Sequence, residues 1–311
     1  MSSRVLIVGA GRVGLSLAAD LSEAGIAVTV AGRKAERPTF LGDRPQIGYV
    51  SAPSPEVDAA GAFEAAATPE GSPAFEGPAA LEGPAAFELL FCVTDDALTS
   101  LAASWSEAAG GRPPLPRTAL HTSGVDSAEA LAPWRAKGVA IAAWHPLVAV
   151  ASPRTGAFRG VWFGIDGDAE ACRTGEELAR RLGGRTFAVR PEGRAQYHVA
   201  AVFASNFLVA CLHVALDELR GASDEAELEA LLPLAAAALG NLGELGLSMG
   251  ATGPVTRGDA QTITSNLAVL DPERADLYRA LGRELLELTA GRLEPEVHVR
   301  LEALLSAREA P

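Results

Sequence analysis

The chain has 311 residues, 48% of them hydrophobic, and a formal net charge of −13 at pH 7. That length allows two domains with substantial cores, and the composition is that of a globular protein rather than a disordered one. The acidic balance argues against general nucleic-acid binding, which needs a basic surface.

The first predicted element is a short buried strand, Val5 to Val8. The chain then turns through Gly9-Ala10-Gly11-Arg12-Val13-Gly14 into a helical pattern from Leu15 to Ala24. G-x-G-x-x-G between a strand and a helix is a dinucleotide-binding fingerprint. Gly9 permits the tight turn, Gly11 lets the backbone approach a pyrophosphate, and Gly14 lets helix and strand pack closely. Ala10, Arg12 and Val13 complete the loop, and the free N–H groups of the first helical turn face the phosphates. Gly25 to Ala31 reads as a turn and second strand, ending in Gly32-Arg33-Lys34. An NAD site usually places an acidic residue near here for the ribose hydroxyls. Two cations stand there instead, and the fork of Arg33 suits a 2′-phosphate. The expected cofactor is NADP(H); the alternative is a solvated basic loop.

Ile47 to Ser51 is a candidate third strand. Residues 52–87 repeat Pro, Gly, Glu and Ala at spacings that break helices and central strands, and read as an irregular surface insertion. A buried strand resumes at Glu88 to Val93, followed by Thr94-Asp95-Asp96 and a helix to about Ala109. Val93 and Thr94 are placed beside the cofactor, with Asp95 or Asp96 as N-cap. The strand Thr118 to Leu120 ends in His121-Thr122-Ser123-Gly124, and Val139 to Trp144 ends in His145-Pro146-Leu147. Phe163 to Ile165 and Thr186 to Val189 flank a helix, Ala169 to Leu182. Beyond Arg190 the pattern is helical: Gly193 to Leu219, Asp224 to Leu245, Ala260 to Leu270, Pro272 to Ala290 and Glu294 to Arg308, with a loop at Met249 to Asp259. The fold class is α/β, a Rossmann-type doubly wound sheet in residues 1–190 followed by an all-helical domain in 191–311.

The apolar run Val199 to Leu216 contains Ser205, Asn206 and His213 and lacks basic flanks, so it reads as a buried helix rather than a membrane span, with His213 in the core. A first strand so near Met1 leaves no room for a signal peptide. Cys92, Cys172 and Cys211 are scattered and odd in number, which fits a reducing cytoplasm and neither a disulfide framework nor a structural zinc site. No metal is expected, because no ligand pair has helical or hairpin spacing. A long Ala-rich apolar helix needs covering, which points to a homodimer.

Two histidines at the ends of consecutive strands, on the cofactor side, are the most informative polar residues. Hydride transfer to a carbonyl or imine needs a proton donor beside the reacting atom, and His titrates in the useful range. His145 is taken as that acid, with the Ser123 hydroxyl reaching the same atom and His121 on the cofactor side. A structural hydrogen bond at a strand end is the alternative for either histidine. At 100° per residue, Arg194, His198 and Ser205 share one helix face with Asn206 at its edge. Arg257 is a candidate anchor for a substrate carboxylate and Asp259 a candidate partner to position it; a surface ion pair is the alternative.

Four motifs, His121-x-Ser123-Gly124, Trp144-His145-Pro146-Leu147, Tyr197-His198-x-Ala200-Ala201-x-Phe203-x-Ser205-Asn206 and Thr252-Gly253-Pro254-x-x-Arg257-Gly258-Asp259, together resemble the family that pairs a Rossmann-like domain with a DUF2520 domain. The resemblance covers nearly the whole chain outside the insertion. It implies a branch of the 6-phosphogluconate and 3-hydroxyisobutyrate dehydrogenase-like superfamily: an NADP-dependent oxidoreductase with an all-helical second domain, often dimeric. It implies no particular substrate. His145-Pro146, with Ser123 upstream, resembles the His-Pro motif of prephenate and arogenate dehydrogenases. Ketopantoate reductases carry a lysine on the comparable first helix of the second domain, and this chain has none there. The expectation is an NADPH-dependent reductase of a small carboxylate-bearing carbonyl or imine, such as a ketopantoate-like 2-oxo acid. Its alternatives are a prephenate-like dehydrogenase and a non-catalytic NADP(H)-binding sensor or scaffold.

Overall fold

The computed structural model describes residues 4–52, 62, 86–110 and 115–307. The expected insertion at 52–87 lies almost wholly outside the described residues, as does Arg308 at the expected end of the last helix.

Eight strands form one sheet in the order β3-β2-β1-β4-β5-β6-β7-β8. They are β1 (Arg4–Val8), β2 (Ala27–Gly32), β3 (Gly48–Ser51), β4 (Glu88–Phe91), β5 (Thr118–His121), β6 (Ala140–Pro146), β7 (Trp162–Gly167) and β8 (Arg185–Ala188). All neighbours pair in parallel except β6 and β7, which are antiparallel with His145 opposite Gly164. The chain winds outward from β1 through β2 to β3, returns to β4 beside β1, and winds the other way. The carboxyl ends of β1 and β4 are therefore the topological switch point, where open α/β sheets bind their ligands.

Strands buried on both faces are apolar along their length because each face meets its own core. Val5 and Ile7 pack with Leu17, Leu21, Val30, Trp144 and Phe163. Leu6 and Val8 pack with Leu89, Phe91, Trp105 and Trp134. The alternation follows from the two-residue period of a strand. Helices α1 (Arg12–Glu23) and α4 (Ala169–Arg181) cover the first face; α2 (Asp95–Ala109) and the short α3 (Ala132–Arg135) cover the second. Asp95 and Asp96 are not the N-cap of α2. Thr94 holds that position and the two acids stand in the first turn, where they face the positive end of the helix dipole.

The chain forms two compact units that divide between Phe207 and Leu208 rather than near residue 190. Helix α5 (Arg194–Val202) belongs to the first unit because its side chains Arg194 and Tyr197 engage Asp166 and Gly164 of β7. The helix expected from Gly193 to Leu219 is interrupted after α5 by a π turn, Phe203–Phe207. There the Ser205 hydroxyl donates to the carbonyl of Ala201 at 2.7 Å, a back-bond that loosens helices.

The second unit contains α6 (Leu208–Ala222), α7 (Leu228–Gly250), α8 (Pro254–Arg257), α9 (Ala260–Leu267), α10 (Pro272–Leu288) and α11 (Pro295–Ser306). Its core is small, built on Val255, Ile263, Leu286, Leu301 and Leu305. That core is drawn from α8 to α11, so the expectation of a buried helix at Val199 to Leu216 does not hold. No residue of α6 is buried, and in α7 only Gly250 is. The segments Pro191–Ala222 and Leu228–Gly250 are long and apolar enough to cross a membrane by length and composition, with an 18-residue window of mean hydropathy 2.1 and 1.4 respectively. His213 is likewise not a core residue: its side chain is 72% exposed and lies 3.7 Å from Asp217 one turn on.

Candidate functional site

The glycine loop occupies the carboxyl end of β1. Gly9 adopts φ 118°, and a Cβ there would lie 2.2 Å from the Cys92 carbonyl oxygen; one at Gly14 would lie 2.0 Å from the Gly9 carbonyl oxygen. Neither position tolerates a side chain, which is how helix and strand come so close. Gly11 differs: a Cβ would meet nothing within 4 Å. It caps α1 without a side-chain hydrogen bond, so the first-turn N–H groups have no side-chain acceptor at the cap. The open space above Gly11 and the positive helix end fit the diphosphate of a dinucleotide.

At the end of β2, a Cβ on Gly32 would lie 2.8 Å from Cβ of Ala10 and 2.7 Å from the Tyr49 hydroxyl. That hydroxyl donates to the carbonyl of Lys34 at 2.7 Å and fixes the basic turn against β3. Arg33 and Lys34 are exposed and form no ion pair among the described residues. At the end of β4, Val93 lies 3.1 Å from the Gly9 Cβ position, so Val93 and Thr94 border the loop. Burial pushes the Cys92 thiol up to about 12, which makes it an inert packing group.

The histidines occupy the next two strand ends on the same edge of the sheet. His121 is fully buried. Its Nδ1 accepts from the backbone N–H of Ser123 at 3.2 Å, so Nε2 carries the proton and donates to the carbonyl of Ser127 at 3.0 Å. Burial lowers its pKa to about 4, and Arg194 lowers it further against the opposing pull of Ser127, Asp126 and Asp166. His121 is thus a neutral, fully engaged brace for the loop that follows β5. Ser123 is engaged in the same way. Its hydroxyl donates to Asp126 and accepts from the backbone N–H groups of Val125 and Asp126, which closes the turn.

That turn presents Gly124 between two rings. A Cβ on Gly124 would lie 2.9 Å from His145 Nε2 and 2.9 Å from His198 Nδ1, so both nitrogens pack against a position where only glycine fits. His198 Nδ1 is enclosed and has no hydrogen-bond partner among the described residues. His145 Nδ1 lies 2.6 Å from the hydroxyl of Tyr197. Burial lowers the His145 pKa to about 4; Arg194, His198 and His121 push the same way and Asp95 opposes them. Beneath the pair, Arg194 is buried and ion-paired with the buried Asp166, which also accepts from the N–H of Ala128.

The structure thus brings His121, Ser123, His145 and His198 together in the first unit. Asn206 is exposed on the π turn, 2.9 Å from the Ser205 hydroxyl. Arg257 is exposed and belongs to the second unit, as does Asp259. Asp259 is the N-cap of α9, accepting from the Thr262 N–H and hydroxyl at 3.0 and 2.7 Å, rather than an ion-pair partner of Arg257. Sequence reasoning missed Tyr49, Tyr197 and the Arg194–Asp166 pair. Asp166 carried a readable signal, since an acid inside an apolar strand must find a partner.

This is a Rossmann-type α/β fold, with its glycine loop at the switch point. The family described as "Domain of unknown function (DUF2520)" matches residues 161–285 of the chain. Among solved structures, a Bacteroides fragilis protein crystallised as a candidate NADP oxidoreductase is 22% identical, with TM-score 0.64 over 92% of this chain and 98% of that one. The Thermotoga maritima protein TM1727 is 20% identical, with TM-score 0.64 over the same shares. The reductive aminase of Aspergillus terreus, solved with NADPH and ethyl levulinate, is 20% identical with TM-score 0.52 over 98% and 93%. These likenesses establish the fold. No protein of curated function matches the sequence.

Proposed function

We propose that the protein is an NADP(H)-dependent oxidoreductase that transfers a hydride to a small carboxylate-bearing carbonyl or imine, of which a ketopantoate-like 2-oxo acid is the type. One arrangement carries the reading: the glycine loop and the His145–His198 pair stand on the same edge of one sheet, on either side of its switch point. Gly9 to Gly14 would hold the diphosphate, Gly32, Arg33 and Lys34 the 2′-phosphate end, and Val93 and Thr94 the ribose beside the nicotinamide. The bound cofactor supplies the hydride. His145 meets the reacting oxygen or nitrogen, His198 and Asn206 orient it, and His121 and Ser123 act through the turn that carries Gly124. Arg257, in the second unit, is the cation that the sequence offers for a carboxylate.

A second reading has one observation in its favour. His145 is held neutral, and a neutral imidazole can accept a proton, which suits oxidation of a prephenate-like hydroxy acid. The test is a panel of 2-oxo acids, cyclic imines and their counterparts without the carboxylate, followed by loss of NADPH absorbance. A parallel panel of hydroxy acids is run with NADP+. Turnover of 2-oxo acids but not of the uncharged counterparts supports the first reading. Turnover confined to hydroxy acids favours the second, and tight NADPH binding with no turnover leaves a sensor or scaffold.

We also propose a cytoplasmic homodimer in which a second copy covers the exposed apolar residues of α6 and α7, among them Val209, Leu234 and Leu239. Sedimentation equilibrium of detergent-free protein should return twice the chain mass; a monomer would contradict it.

A further inference from the structure

The Tyr197 hydroxyl has two acceptors within reach, His145 Nδ1 at 2.6 Å and the His145 carbonyl oxygen at 3.2 Å. A phenol has one proton to give. The 2.6 Å contact to nitrogen is the shorter of the two, and either the ring nitrogen or the phenol can be its donor. The phenol is held in place on several sides. Its ring stands edge-on to His145, with centroids 5.4 Å apart and planes at 90°, and lies 5.9 Å from Phe187. It occupies the room that Gly164 leaves, since a Cβ there would fall 2.7 Å from the hydroxyl. The backbone N–H of Gly164 reaches the phenol oxygen, and burial pushes the Tyr197 pKa up to about 12, so the group keeps its proton.

We propose that Tyr197 is the positioning residue of this site: by donating to Nδ1 it fixes His145 as the Nε2–H tautomer, so the ring presents a donor rather than a lone pair beside Gly124. The catalytic use of that donor rests on the function proposed above; the tautomer does not. The consequence concerns direction. A bare Nε2 would accept a proton and serve oxidation, whereas a protonated Nε2 donates to an oxyanion as it develops and serves reduction. The ring need not be charged for this. Burial, Arg194, His198 and His121 disfavour the imidazolium against Asp95, and Tyr197 leaves the remaining proton on the nitrogen beside Gly124.

The test reads the tautomer directly. Full-length protein labelled with 15N-histidine is examined at pH 7 by long-range 1H–15N correlation, with His145 assigned from the signals lost in His145→Gln. The expected wild-type spectrum has a pyrrole-type Nε2 and a pyridine-type Nδ1 displaced by its hydrogen bond. In Tyr197→Phe, which removes one oxygen, that displacement disappears and the two nitrogens average towards mixed tautomers, while NADPH affinity is unchanged. A pyridine-type Nε2 in the wild type overturns the proposal, as does a His145 signature that Tyr197→Phe leaves untouched. Should Tyr197→Phe not fold, Gly164→Ala displaces the phenol instead, and the wild-type spectrum decides by itself. Failure to bind NADPH would remove the proposed function and leave the tautomer standing.

Discussion

His121 closes β5 and His145 stands one residue from the end of β6, on neighbouring parallel strands of one sheet edge. Both are held well below the ordinary histidine range, chiefly by burial. Their hydrogen bonds separate them. His121 has both ring nitrogens engaged by backbone within its own loop, whereas His145 has one nitrogen on Tyr197 and turns the other to the point beside Gly124. A group with a ring nitrogen left unengaged can act on a substrate, and a group with none can only hold a shape. Strand-end position alone does not tell the two apart.

The largest expected effect follows from that contrast. His145→Ala should lower turnover of an identified substrate by about 10²–10⁴-fold, the usual contribution of a positioned proton donor, with NADPH affinity kept. His121→Asn should instead cost about 1–3 kcal/mol of stability, from unpairing a buried donor and acceptor. Thermal melts and steady-state rates on both variants would expose a reversal of these roles. Gly124→Ala comes next. Its Cβ would crowd both His145 and His198 and displace them, so a loss of about 10²-fold in kcat is expected without a change in fold, measured beside its circular dichroism.

The pH dependence sharpens the comparison further. Each histidine has a folded pKa of about 4 and an unfolded value near 6.5. The unfolded chain therefore binds the extra protons between those values, and stability present above pH 6.5 is lost as pH falls towards 4. Melting temperature should drop over that window, and His121→Gln should flatten the slope. The smallest effect belongs to Ser123→Ala. Losing the turn's hydroxyl should cost about 1 kcal/mol and leave NADPH affinity alone; a large loss of turnover with normal stability would restore Ser123 to the substrate.

The sheet was legible because its strands announce themselves. Val5 to Val8, Leu89 to Phe91 and Ala140 to Trp144 are apolar on both faces, and each is followed by a turn signal. The glycine loop was legible for a local reason, since Gly9 and Gly14 answer to atoms a few residues away or to a directly paired strand. The histidine pair was half legible. Periodicity places Arg194 and His198 on one helix face, yet Arg194 turns to a buried acid in β7 and His198 to Gly124, and both contacts span the sheet. Tyr197 was hidden because its partner is 52 residues away and its seat depends on the missing side chain of Gly164. The exposed faces of α6 and α7 defeated the reading of a buried helix, because hydropathy measures how much a helix wants cover and not what covers it.

The most direct measurement of the central claim is a titration of NADPH and NADH by nicotinamide fluorescence, on the wild type and on Arg33→Ala. The account predicts saturable NADPH binding, weaker NADH binding, and about 10–100-fold loss of NADPH affinity in the variant, the worth of a charge-assisted hydrogen bond to the 2′-phosphate. Binding of neither nucleotide, or NADPH affinity indifferent to Arg33→Ala, would contradict it.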